Sequence, residues 1–251
     1  MHIMMSQETI FSEIISATLG GPRRPPVNLD VVAEDIGVVA IFRTQCTEAF
    51  TFFCPNGPVI YVSKTASGAS KRFMIAHELA HVMLRRPEAI DVIERYGDAS
   101  LLDDEETLAN RIAETLLIPD SWVDEMRIEA GNAHFTLARL RDIANAVGMP
   151  MSMLVTRLAT AGIDVAMLYW RRGSCSWHII DRPGAPLYLH GYVELSDSGR
   201  LAIDHLNEKE SEVIVIGRVG GRDLSIRGMG WRRGGQAIQC LAPTRDIWLS
   251  T

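Results

Sequence analysis

Apolar positions along the chain change period several times, and each change predicts an element. Ile10, Phe11, Ile14, Ile15 and Leu19 recur at helical spacing, predicting a helix over 7–19 that Ser6 can cap and Gly20-Gly21-Pro22 ends. After a Pro-rich connection through Pro26, a short helix over 29–36 starts at Asn28 or Asp30 and stops at Gly37. Residues 38–43 and 49–54 then read as strands, and Pro55-Asn56-Gly57-Pro58 turns the chain into a third strand, 59–63. A small polar stretch, 65–70, forms a lip before the apolar, proline-free run 71–84, whose Lys71 and Arg72 are expected at the solvent end of a helix. Arg85-Arg86-Pro87 stops that helix, 88–102 is a crossover, and 103–119 is a further helix closed by Pro119.

Farther along, Leu140, Ile143, Ala144 and Val147 make an apolar helical face, Gly148 breaks it, and 151–158 starts another helix, giving a helix-turn-helix shape. After Asp164 the texture becomes short apolar runs at 165–170, 176–180, 187–195, 213–219, 224–231 and 237–241, with Arg232-Arg233-Gly234-Gly235 suited to a hairpin turn. The expected class is α+β. Its expected division is 1–120, a helical segment 121–163 and a β-rich region 164–251.

Composition narrows the setting. The 251 residues are enough for one large or two modest cores, and 47% hydrophobic with 22% charged residues is ordinary for a globular chain. Cys46, Cys54, Cys175 and Cys240 form no CxxC pair, so a reducing compartment is the simpler reading, with a Cys46–Cys54 contact left open. Residues 1–7 lack a signal peptide's basic start and apolar core, and no run approaches a membrane span, so a cytoplasmic protein with no membrane partner is expected.

The net charge of −6 opposes broad electrostatic binding to nucleic acid. Residues 164–251 carry 11 Lys and Arg against 10 Asp and Glu, leaving 14 against 21 for 1–163. The segment 121–163 is balanced, with four Arg and four acidic residues, whereas reading DNA needs a basic surface. Packing or docking of a protein partner is therefore its expected role.

Chemistry concentrates at His77-Glu78-Leu79-Ala80-His81, an HExxH motif inside the predicted helix 71–84. Histidines four apart on a helix project from one face and can reach one metal ion with Glu78 beside it. Neutral imidazoles suit zinc, and a catalytic site leaves a position for water whose pKa falls toward about 7. Glu78 is the expected base. A third ligand is expected from 103–119, where Glu106, Ala109, Asn110, Ala113 and Leu117 share a stripe and the alanines permit close helix approach. Glu106 is the candidate ligand, and Asn110 can accept a hydrogen bond from a ligand histidine. Asp103, Asp104 and Glu105 read as a solvated helix start, and Glu114 as half of a surface ion pair with Arg111.

Peptide hydrolysis also needs an oxyanion donor, for which Tyr96 and His134 are the candidates. The strand 59–63 or its hairpin partner is the expected edge for a substrate added as an extra strand. His178, His190 and His205 lack ligand spacing, and Trp170, Trp177, Trp231 and Trp248 read as core residues.

The run Arg72-Phe-Met-Ile-Ala-His77-Glu-Leu-Ala-His81, followed by Glu106-Thr-Leu-Ala-Asn110-Arg-Ile-Ala-Glu-Thr-Leu-Leu-Ile-Pro119, resembles the ImmA/IrrE family of zinc metallopeptidases. The family pattern is AHExxH followed by ExxA(N/D)xFAxxLLxP, and Ile112 stands here where Phe is usual. The resemblance covers 29–119 well and the rest loosely. It implies a zincin-like core of the gluzincin type, one Zn2+ per chain, Glu106 as third ligand, and cleavage of a helix-turn-helix transcriptional repressor in stress response or mobile-element induction. It further implies that the β-rich region is either a ligand-sensing domain gating the protease or an accessory domain. The contrasting expectation is a regulatory protein with a vestigial core that binds DNA, a repressor or an antitoxin, against which the complete ligand and base set argues.

Overall fold

The computed structural model describes residues 7–66, 68–96, 104–130, 137–161, 163, 166–171, 174–178, 194–198, 205, 211–219, 222–233, 237–242 and 247–249. They divide into two compact units, Met1–Glu125 with Ala144–Pro150, and Met126–Ile143 with Met151–Thr251. The architecture is mixed α+β. Among the described residues no helix is long and apolar enough to cross a membrane.

In the first unit, helix α1 (Gln7–Leu19) buries Ile10, Phe11, Ile14 and Ile15, the apolar stripe of its sequence. Helix α2 (Leu29–Asp35) is capped by Asn28, whose side chain accepts the Asp30 N–H at 3.1 Å. Strands β1 (Ala40–Thr44), β2 (Phe50–Cys54) and β3 (Gly57–Ser63) form one sheet in the order β1-β3-β2. β3 runs parallel to β1, with Ala40 opposite Val59, and antiparallel to β2, with Phe50 opposite Tyr61. The strand at 59–63 is therefore internal, with Ile60 and Val62 fully buried, and the free edge near it belongs to its hairpin partner β2.

Pro55 and Asn56 alone separate β2 from β3, because Cys54 already pairs with Gly57. Gly57 has φ +120°, and a Cβ there would stand 2.9 Å from Val39 Cγ2 and 3.0 Å from the Gly37 carbonyl oxygen. A side chain at this position meets both left-handed strain and a backbone atom that cannot turn away. Gly57→Ala is expected to destabilise the chain by about 1–3 kcal/mol, measurable as a lower denaturation midpoint with an unchanged slope. Cys46 and Cys54 are free thiols, and the Cys54 thiol donates to the Gly57 carbonyl.

Helix α3 (Gly68–Leu84) begins earlier than its apolar run, so Gly68, Ala69 and Ser70 form its first turn rather than a polar lip. Arg72 is not at a solvent end. Its guanidinium donates to the carbonyls of Val27 and Val147, the latter at 2.8 Å, and ties α3 to neighbouring segments. The crossover contains a helix, α4 (Pro87–Tyr96), which starts on proline, buries Ala89, Val92 and Ile93, and packs on α1. Helix α5 (Glu105–Leu117) is capped by Asp104, whose carboxyl is held below the ordinary range by the Thr107 hydroxyl and amide.

α3 and α5 pack face to face. Ala76, Leu79, Ala80 and Met83 of α3 and Ala109, Ile112, Ala113 and Leu116 of α5 are all essentially inaccessible. Alanines on both surfaces bring the axes close, which fixes the separation of the side chains facing each other across this seam. Ile112 is fully buried, so the departure from the usual Phe is absorbed by packing. Glu114 pairs with Arg111 at 3.1 Å, but at 4% exposure it is a buried partner and not a surface one. α5 also packs on α1.

Helices α6 (Asp120–Ala130), α7 (Leu137–Val147) and α8 (Met151–Thr160) follow. α7 ends at Gly148, φ +66°, with the Met149 N–H donating to the Ala144 carbonyl at 2.9 Å. Leu140, Ile143, Ala144 and Val147 are buried along its predicted apolar face.

In the second unit, strands β4 (Ala166–Arg171), β5 (Ser174–His178), β6 (Glu194–Leu195), β7 (Ser211–Val219), β8 (Arg222–Arg233), β9 (Ala237–Ala242) and β10 (Ile247–Leu249) form an antiparallel sheet. The order is β5-β4-β9-β8-β7-β6, with β10 against β8. Arg232 and Arg233 belong to β8, and Arg233 stands opposite Ala237. Gly234, Gly235 and most of 187–195 lie outside the described residues.

Candidate metal centre

Three elements of the first unit build the site: α3 and α5 across their seam, and the sheet edge β2. His77 and His81, one turn apart on α3, stand with ring centroids 4.7 Å apart and planes at 82°. Across the seam, Glu106 places one carboxylate oxygen 3.2 Å from His77 Nε2 and the other 3.3 Å from His81 Nε2. The two Nε2 atoms are 3.1 Å apart. The three residues offer one ligand atom each within 4.8 Å of one another.

The outer nitrogens explain which atoms converge. His77 Nδ1 faces Asn110 Oδ1 at 3.0 Å, and His81 Nδ1 faces Glu105 Oε1 at 2.8 Å. Both partners can accept, so the tautomer that satisfies both contacts carries its proton on Nδ1 and leaves the two Nε2 atoms with lone pairs. Two lone pairs and a carboxylate at such distances repel one another unless a cation lies between them. Three donors of one tetrahedral zinc at about 2.0–2.1 Å would stand about 3.3–3.4 Å apart, close to the observed spacings. The donor set therefore fits zinc.

The structure brings Asn110 against His77, one of the two candidate ligand histidines. Glu105 corrects the sequence reading: it is not a merely solvated residue of the helix start but the hydrogen-bond partner of the second candidate ligand, His81. Arg85 stands 3.9 Å from the same Glu105 oxygen and lies over the Phe53 ring at 4.2 Å. A carboxylate behind a ligand imidazole fixes its tautomer and raises its basicity. Glu105→Ala is expected to weaken zinc binding by about 10- to 100-fold, read by competition with a chromogenic chelator.

Glu78, which follows His77, is 5% exposed, and its Oε2 accepts the Thr51 hydroxyl at 2.7 Å. Thr51 lies on β2, 27 residues away, and no sequence pattern singled it out. The surrounding cleft has a volume of about 690 Å³. Phe50, Thr51 and Phe53 of β2 form one wall, and Glu48, Glu78, Glu105 and Glu106 make it acidic, with Arg85 the cation among its lining residues. Glu106 is 71% exposed, so this end of the cleft opens to solvent.

Of the two oxyanion candidates, Tyr96 ends α4 under the Arg95 guanidinium and does not line the cleft. His134 lies outside the described residues. His205 is exposed, and His178 lies in β5.

No curated protein matches the sequence. Among solved structures, a Mycobacterium tuberculosis transcriptional regulator shares the fold, with a TM-score of 0.53 over 97% of this chain and 77% of its own, at 12% identity. Residues 31–159, just over half of the chain, match the family described as Peptidase M78, IrrE N-terminal-like domain. With that match spanning both the HExxH helix and the helix of the third candidate ligand, the chain belongs to the ImmA/IrrE family of metallopeptidases.

Proposed function

We propose that the chain is a zinc-dependent, site-specific endopeptidase that cleaves a helix-turn-helix transcriptional repressor, derepressing stress-response or mobile-element genes. The observation that carries this reading is the convergence of His77 Nε2, His81 Nε2 and the Glu106 carboxylate, with the buried Glu78 carboxylate lining the same cleft. His77, His81 and Glu106 would hold the zinc, and Asn110 and Glu105 would orient the two imidazoles. Bound zinc supplies Lewis acidity, polarising the scissile carbonyl and lowering the pKa of water to about 7.

The chain's own residues supply the rest. Glu78 accepts the proton of the attacking water and returns it to the leaving amine, within reach because it is next to a ligand in sequence. A zincin-like core of the gluzincin type is the architecture this implies. β2 offers its free edge along the cleft wall, so a substrate segment can bind as an added strand through main-chain hydrogen bonds. The acidic lining favours a substrate segment with basic residues, as a DNA-binding repressor carries.

In this reading residues 1–120 are the peptidase domain, 121–163 dock the repressor rather than DNA, and 164–251 form a β-rich domain for sensing or partner binding. The setting is cytoplasmic. The test is to incubate zinc-loaded protein with the helix-turn-helix proteins encoded beside it and to map fragments by mass spectrometry. One discrete cut in one candidate supports the proposal. Intact candidates throughout, with zinc bound, would count against repressor cleavage.

A further inference from the structure

Thr51 touches the proposed base from the opposite side of the cleft. Its Oγ1 donates to Glu78 Oε2 at 2.7 Å, and Glu78 is 5% exposed, so a strand residue reaches a carboxylate with little access to water. The position of Thr51 is set by pairing, since it stands opposite the fully buried Ile60 in the β2–β3 register. Thr is stiff at χ1, so a paired backbone also fixes its hydroxyl direction. A carboxylate on a two-carbon stem has several rotamers, and a charge-assisted hydrogen bond to one oxygen selects among them.

We infer that Thr51 is a positioning residue for the Glu78 base: its hydroxyl holds Oε2 and thereby presents Oε1 for proton transfer. This rests on the endopeptidase reading. Thr51 does not touch the scissile bond and acts through Glu78. Because β2 also offers the free sheet edge in that reading, the strand that receives the substrate is the one that sets the base.

The test is steady-state cleavage of the helix-turn-helix protein that wild type cuts, by zinc-loaded wild type, Thr51→Val, Thr51→Ser and Glu78→Gln. Valine keeps the branched shape and the strand preference while removing the hydroxyl. The expected result is kcat lowered about 10- to 100-fold in Thr51→Val, with KM within about twofold, zinc content unchanged, and most of kcat restored in Thr51→Ser. If the valine variant does not fold, Thr51→Ala against Thr51→Ser carries the same comparison. Wild-type kcat in the hydroxyl-free variants, or a raised KM alone, overturns the inference while Glu78-dependent cleavage leaves the peptidase reading intact. Cleavage that survives in Glu78→Gln, or no cleavage by zinc-loaded wild type, overturns the reading itself and the inference with it.

Discussion

Glu78→Gln is expected to bind zinc like wild type and to lose repressor cleavage by about 10²–10⁴-fold in kcat. Glutamine keeps the shape of the side chain, and its amide oxygen can still accept the Thr51 hydroxyl. It cannot take a proton from water at neutral pH. Glu78 contributes none of the converging ligand atoms, which belong to His77, His81 and Glu106, so metal affinity should stay near wild type. Removing a charge from a side chain only 5% exposed also relieves a desolvation cost, so thermal stability should hold or rise. Loss of activity with undiminished stability separates a chemical defect from a folding one. Cleavage at an undiminished rate would remove Glu78 from the base role.

His77→Ala is expected to act on the metal instead. It deletes one converging donor and leaves Asn110 Oδ1 without its partner. Zinc affinity should fall by more than the roughly 10- to 100-fold typical of losing an outer partner. Calorimetry should show this directly. In wild type, zinc at about 100 times its Kd should raise stability by about 2.7 kcal/mol, and that rise should vanish in the variant. A persisting zinc-induced rise in Tm would place the metal elsewhere.

The parts of this site legible in the sequence are those whose spacing a helix dictates. His77 and His81 fall one turn apart whatever the fold, and so do Glu106 and Asn110. Glu105 was not legible, because its role depends on how α5 is rotated against α3, and its neighbours form an acidic helix start that solvent accounts for equally well. A signal was nevertheless present. Two ligand imidazoles each need an acceptor on the outer nitrogen, and Asn110 answers for one. The carboxylate beside Glu106 was the nearest candidate for the other.

The sheet shows a different limit. The sequence leaves the edge open between 59–63 and its hairpin partner, and the parallel pairing of β1 with β3 places 59–63 in the middle. The apolar run Val59-Ile60-Tyr61-Val62 suits a strand with a neighbour on each side, whereas β2 exposes Phe50, Phe52 and Phe53 as an edge can. Thr51 became visible only when that order was known. The Arg111–Glu114 pair follows the same logic: the spacing of three was readable, but the burial of Glu114 was not, because it depends on how α5 is packed.

The measurement that bears most directly on the central claim is zinc per chain after metal stripping, reloading and dialysis, on wild type and on Glu106→Ala. One tightly held zinc is expected in wild type and a marked loss in the variant, since the Glu106 carboxylate faces both Nε2 atoms, one oxygen to each. Wild-type protein that retains no zinc, or a Glu106→Ala variant that retains it as tightly, would contradict the metal centre described here.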